Sequence, residues 1–159
     1  MQYALKDLFR AREFRKDKAT DNVLKAKELL AKAERELEEK IKILNDFIEQ
    51  KPKEVKKIYD KVMLKNVKRG AVDDIHFELA ALDIKQEELQ NSVNEAQKKV
   101  KDAEDNVQKA KDLLRKAEKE LEKIQEHKSL WVEEVKKLEE EVVEKEMEDF
   151  RVKPPESFD

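Results

Sequence analysis

The chain has 159 residues, of which 47% are charged, and it contains one glycine, three prolines and no cysteine. This composition is typical of long helices and coiled coils, in which a narrow apolar seam leaves little volume for a buried active site. The lack of cysteine excludes disulfides and thiolate sites, and a net charge of −3 does not indicate a nucleic acid partner. Because the sequence has no bilayer-length apolar run and no apolar leader, we expect a cytoplasmic protein, peripheral to a membrane at most.

The first predicted element is a helix over about residues 3–65. Its alanines fall seven residues apart and alternate with large aliphatic residues, the spacing of a helix that packs against a partner helix. The seam before the proline is Leu5, Phe9, Ala19, Val23, Ala26, Leu30, Ala33, Leu37, Leu44 and Phe47. Pro52 lacks a backbone donor and crowds the preceding turn, so we expect a kink or a short break there. The pattern resumes with Val55, Ile58, Tyr59 and Val62.

A short loop is predicted over about residues 66–73. It holds the only glycine of the chain, Gly70, which can close the first helix in a left-handed conformation. Asp73 or Asp74 can cap the helix that follows. Two long helices joined by so short a loop pack antiparallel.

The second helix is predicted over about residues 74–150. Its seam holds the heptad from Ile75 to Val142, with Ala96, Ala103, Ala110 and Ala117 in one row, and only Gln86 and Lys128 interrupt it. Residues 1–151 are therefore expected to form a single all-α domain, an intramolecular antiparallel coiled-coil hairpin with an alanine-rich seam. We expect a disordered tail over residues 152–159, because Pro154 and Pro155 cannot continue a helix.

The pairing of the two seams can be predicted from the position of the turn. If the hairpin turns at residue 70, the numbers of facing residues add up to about 140. Each alanine then faces a large aliphatic residue, Phe9 faces Trp131, Arg12 faces Lys128, and Glu54 faces Gln86. A parallel homodimer would instead stack alanine on alanine and leave thin layers. We therefore expect a monomer.

Charge is distributed unevenly along the chain. Residues 1–20 carry six cations and three acids, whereas residues 133–149 carry nine acids and three cations, which weakly favours the antiparallel pairing. Residues 51–69 carry eight cations and two acids. This basic run is either a solvated face or a surface for an acidic protein or an anionic lipid.

The sequence offers no candidate catalytic, cofactor-binding or metal-binding residues. The two histidines, His76 and His127, lie far apart, and the many glutamates have the spacing of solvated faces. Trp131 either fills a wide seam layer against Phe9 or anchors a partner. His76 and Phe77 lie off the seam, so they either pack locally or bind a partner together with Tyr59 and Met63.

Three parts of the chain resemble the stalk proteins of type III secretion systems, of the YscO and FliJ kind, and most closely the chlamydial YscO-like member. These parts are the opening segment YALKDLFRAREFRKDKA, the segment HKSLWVEEVKKLEEEVVEKEMEDF near the end, and the plan of two long helices with a short polar loop. The string that begins with His127 and Lys128 and reaches Trp131 is the most specific of these features.

The resemblance implies a non-enzymatic protein that couples the hexameric secretion ATPase to the membrane export gate and binds secretion chaperones. It implies an ATPase-facing end over residues 3–20 and 128–149, and a gate-facing end near the loop. The ATPase-facing residues would include Arg10, Arg12, Arg15, Trp131, Lys136 and Lys137. The gate-facing residues would include Tyr59, Met63, His76 and Phe77.

Two other functions compete with this one. A prefoldin-like chaperone subunit is also a helical hairpin, but the loop here has no alternating strand pattern of the kind that assembles a prefoldin hexamer. The other is a plain structural coiled-coil spacer, a function for which the heptads alone would be sufficient.

Overall fold

The protein consists of two long helices that pack against each other as a hairpin, as the sequence predicts. The computed structural model describes residues 2–63 and 69–152. Helix α1 runs over Lys6–Met63 and helix α2 over Arg69–Val152, with 58 and 84 residues. The residues of the predicted tail from 153 onward lie outside the described part.

The chain divides into two compact units, each built from a segment of both helices. The first unit comprises residues 1–22 and 111–159, and the second unit comprises residues 23–110. The buried residues of the second unit are Val23, Leu44, Ile58, Val93, Ala96 and Val107. Those of the first unit are Tyr3, Leu121 and Ile124. All except Tyr3 lie on the predicted seams, so the heptad identifies the core of each unit.

Both units show the same register, which differs from the predicted one. In the first unit, Tyr3 contacts His127 and Trp131, and the Arg12 guanidinium reaches Glu120. In the second unit, Lys51 bonds to Asp83 and Gln86. The numbers of residues in contact add up to between 130 and 137 rather than to 140. The pairing is therefore antiparallel but shifted by about one heptad.

The start of α2 explains this shift. The helix begins at Arg69 rather than near residue 74, so the midpoint between the helices lies near residue 66 instead of 70. Gly70 lies inside the first turn of α2, and it has no positive φ. The predictions that Gly70 closes the first helix and that Asp73 or Asp74 caps the second are therefore wrong. A shift of seven residues preserves the heptad, so alanine still meets a large aliphatic residue.

Pro52 does not interrupt α1, so of the predicted kink or short break the break is wrong and the kink stays a prediction. A proline inside a helix removes one backbone hydrogen bond and costs about 3 kcal/mol or more. At the same level, the Lys51 ammonium donates to Asp83 Oδ1 at 2.6 Å and to Gln86 Oε1 at 2.7 Å. These contacts attach the helix to its partner beside the proline and give the side-chain oxygen of Gln86 a donor within the seam. Gln86 is thus paired with Lys51 rather than with the predicted Glu54.

Candidate protein-binding surfaces

An aromatic cluster stands beside the start of α1 in the first unit. The Tyr3 ring is buried, its centroid lies 5.1 Å from that of Trp131, and its hydroxyl lies 2.7 Å from His127 Nδ1. Trp131 is half-buried in this cluster. The interpretation that Trp131 fills a seam layer fits this geometry, but its aromatic partner is Tyr3 rather than the predicted Phe9.

Two cations that were predicted to face each other are separated in the structure. Arg12 Nη1 donates to the Glu120 backbone carbonyl at 2.8 Å, and Arg12 Nε is buried without a hydrogen-bond partner among the described residues. The Lys128 ammonium lies 4.7 Å from the centroid of the Phe9 ring, within range of a cation–π interaction. The register shift therefore removes the predicted opposition of Arg12 and Lys128.

The predicted ATPase-facing residues divide into two groups. Arg10, Arg15, Lys136 and Lys137 are exposed, whereas Arg12 and Trp131 are half-buried in the contacts described above. All six belong to the first unit. The exposed four can meet a partner without rearrangement, while Arg12 is partly covered and already donates from Nη1 to the Glu120 carbonyl.

The predicted gate-facing residues belong to the second unit and are all exposed. Met63 and Phe77 have 84% and 83% of their surface exposed, and Tyr59 is about half exposed. Their positions near the end of α1 and the start of α2 place them at similar levels of the hairpin in the observed register. Two large apolar side chains so fully exposed are candidates for contact with another protein.

Sequence reasoning missed a third surface, on the last part of α2. The predicted seam continues to Val142, but Leu138 and Val142 are 51% and 54% exposed. The cause is the length of α2, because α1 begins at Lys6 and even the predicted register leaves no residue of α1 level with Val142. The sequence did contain a signal for this surface, because the predicted second helix over residues 74–150 is longer than the predicted first helix over residues 3–65.

The described residues include exposed cationic and apolar side chains that another protein can contact. Among residues 2–63 and 69–152, no group of three or more His, Asp or Glu side chains could hold a metal ion. No helix in this part of the chain is both long and apolar enough to cross a membrane. What the geometry defines is a helical hairpin whose exposed cationic and apolar side chains suit it to bind other proteins.

Comparison with known families identifies the protein more closely. Residues 5–153 match the family described as type III secretion protein YscO. Because the match covers nearly the whole sequence, the chain belongs to this family and is a non-enzymatic component of a type III secretion apparatus. Neither the curated proteins nor the solved structures contain a match to this chain.

Proposed function

We propose that this protein is the stalk that links the hexameric secretion ATPase to the export gate at the cytoplasmic face of the secretion apparatus. The family match over residues 5–153 carries the proposal. The hairpin supports it, since paired helices of 58 and 84 residues present different side chains at successive levels. The string from His127 to Trp131 further favours a relative of the chlamydial YscO-like member.

The ATPase contact is assigned to the exposed cations of the first unit, Arg10 and Arg15 on α1 with Lys136 and Lys137 on α2. Exposed cations contribute to partner choice and to the association rate more than to affinity. Arg12 and Trp131 support this contact from within the hairpin, because Arg12 is bonded to the Glu120 carbonyl and Trp131 packs on Tyr3.

Binding to the cognate ATPase tests this assignment. The double variant Arg10→Glu, Arg15→Glu should lose at least about tenfold in affinity, measured by pull-down and by titration. The matched control is Lys27→Glu, Lys32→Glu, which reverses two exposed cations of the second unit and should bind like the wild type. Equal affinity of both double variants would refute the assigned contact, and no binding by the wild-type chain would refute the stalk function.

The gate contact is assigned to the exposed residues of the second unit, Tyr59, Met63, His76 and Phe77. The variant Phe77→Ala should weaken binding to the cytoplasmic domain of the export gate protein, because it removes a large apolar anchor. Phe14→Ala is the control, since Phe14 is a similarly exposed phenylalanine in the first unit. A loss of gate binding in the Phe14 variant alone would reverse the assignment of the two ends. A secretion chaperone is a third partner class implied by the family.

A further inference from the structure

The last part of α2 exposes apolar residues that the hairpin does not use. Beyond Trp131 the helix continues to Val152. Leu138, Val142, Val143 and Met147 are each at least half exposed, and Phe150 is 89% exposed. Helices gain most of their stability from packing an apolar face against another element, so a helical segment with such a face uncovered is suited to receive one.

The spacing of these residues fits a helix as the occupant. Val135, Leu138 and Val142 follow an i, i+3, i+7 pattern. These three residues line a first shallow depression on α2. Val143, Met147 and Phe150 follow an i, i+4, i+7 pattern and line a second shallow depression next to it. Val135, Leu138 and Val142 lie on one face of α2, and we call these three residues the C-terminal apolar surface. It extends for about 10 Å along α2 at 1.5 Å per residue, which corresponds to about two turns of a partner helix.

The charge around this surface determines the kind of helix that can bind. Residues 133–150 include nine acidic residues and three lysines. Glu139 lines the first depression and Glu146 the second, so carboxylates stand directly beside the apolar side chains. A second copy of the same segment, or an anionic lipid surface, would be repelled. A helix with lysine and arginine on both sides of an apolar stripe would be attracted.

The basic segment of α1 in a second copy of this chain is a poor match. Residues 6–18 are rich in cations, but the exposed apolar residues there, Leu8 and Phe14, are six positions apart. Six positions turn a helix by about 240°, so these two side chains do not form one stripe.

We propose that the C-terminal apolar surface binds a cationic amphipathic helix supplied by another protein. The apolar stripe of that helix packs on Val135, Leu138 and Val142. Its cations lie beside Glu139 and Glu146, which are seven residues apart and flank these side chains on one side. The proposal does not rest on the ATPase contact, because that contact was assigned to cations of this chain and would require an acidic partner.

A designed peptide tests the proposal. The probe is a labelled 18-residue helix with leucines at i, i+3, i+4 and i+7 spacing and lysines elsewhere, titrated against the full chain by fluorescence anisotropy. A permuted peptide of identical composition without the stripe is the control ligand. We expect the striped peptide to bind at least about tenfold more tightly than the permuted one. Equal binding of the two peptides would overturn the proposal, because charge alone would then explain it.

Variants of the chain locate the site. The double variant Leu138→Glu, Val142→Glu should weaken binding of the striped peptide about tenfold or more. Leu113→Glu, at another exposed leucine of α2, should bind as the wild type does. A second double variant, Glu139→Lys, Glu146→Lys, should also weaken binding while leaving the apolar residues intact. If the Leu113 variant loses as much affinity as the Leu138 variant, the assigned surface is wrong.

The oligomeric state of the isolated chain tests whether a second copy, rather than another protein, covers the C-terminal apolar surface. Sedimentation should show a monomer for the wild type and for Leu138→Glu, Val142→Glu. A wild-type dimer that these substitutions convert to a monomer would overturn the proposal, since a second copy would then cover the surface.

Discussion

The parts of α2 before and after Trp131 carry the same kind of apolar spacing and differ in what covers it. Val93, in the earlier part, keeps only 4% of its surface exposed, whereas Val142 keeps about half. Both are valines on the same predicted heptad row. A heptad thus indicates that a helix needs a partner, but it does not indicate whether that partner belongs to the same chain.

Cysteine cross-linking gives the sharpest test of the pairing in the covered part. In the observed register Val107 lies level with Ala26, whereas the predicted register would place it level with Ala33. The variant Ala26→Cys, Val107→Cys should form an intramolecular disulfide nearly completely, and Ala33→Cys, Val107→Cys should form essentially none. Seven residues displace a side chain by about 10 Å along a helix, beyond the reach of a disulfide. Mobility on a non-reducing gel and mass spectrometry distinguish the outcomes, and the opposite pattern would restore the predicted register.

The same acidic substitution should have very different effects in the two parts of α2. Val93→Asp places a charge in the buried seam and should lower the free energy of unfolding by about 3 kcal/mol or more. Val142→Asp should change it by less than about 0.5 kcal/mol, because the side chain is already in water. Thermal and urea unfolding followed by circular dichroism give both values. A large loss in the Val142 variant would mean that the later part of α2 is covered in the isolated protein.

Much of the fold can be predicted from the heptads, but the register cannot. The seam rows correctly identify Val93, Val107, Leu121 and Ile124 as core residues. A seam that repeats every seven residues packs equally well after a slip of seven residues. The position of the loop must therefore fix the register. Gly70 is a weak guide to that position, because glycine also occurs inside helices. The exposed seam beyond Trp131 was missed for a different reason, because the heptad was followed to Val142 without a check that the first helix is long enough to cover it. The identity of the partners cannot follow from this chain, because their residues are not in it.

Substitutions in the aromatic cluster of the first unit should have a smaller effect on the free energy of unfolding. Tyr3→Phe keeps the ring against Trp131 and removes the hydroxyl that lies 2.7 Å from His127 Nδ1. We expect the free energy of unfolding to fall by about 1 kcal/mol, as for a single hydrogen bond. His127→Ala should give a similar loss that does not add to the first, and a double-mutant cycle measures the coupling. Fully additive losses would show that the bond contributes nothing.

Loss of the contact between Lys51 and Asp83 in the second unit should have the smallest effect on the free energy of unfolding. The Nζ atom of Lys51 lies 2.6 Å from Asp83 Oδ1, and the Asp83 side chain is largely exposed. Lys51→Met should cost about 0.5–1 kcal/mol, and 1 M salt should reduce the difference. Lys57→Met is the control, because the Lys57 contact with Glu54 is longer and lies on the surface of a single helix. Equal effects of the two substitutions would show that Lys51 does not hold the helices together beside Pro52.

The bond from Arg12 to Glu120 has a consequence for how the sequence can change over time. The acceptor is a backbone carbonyl, which is present whatever residue occupies position 120. Substitution of the glutamate therefore leaves the acceptor in place, whereas replacement of the arginine removes the donor. This one contact between the two helices thus depends on the side chain at position 12 alone, and any residue that keeps α2 helical at position 120 preserves it.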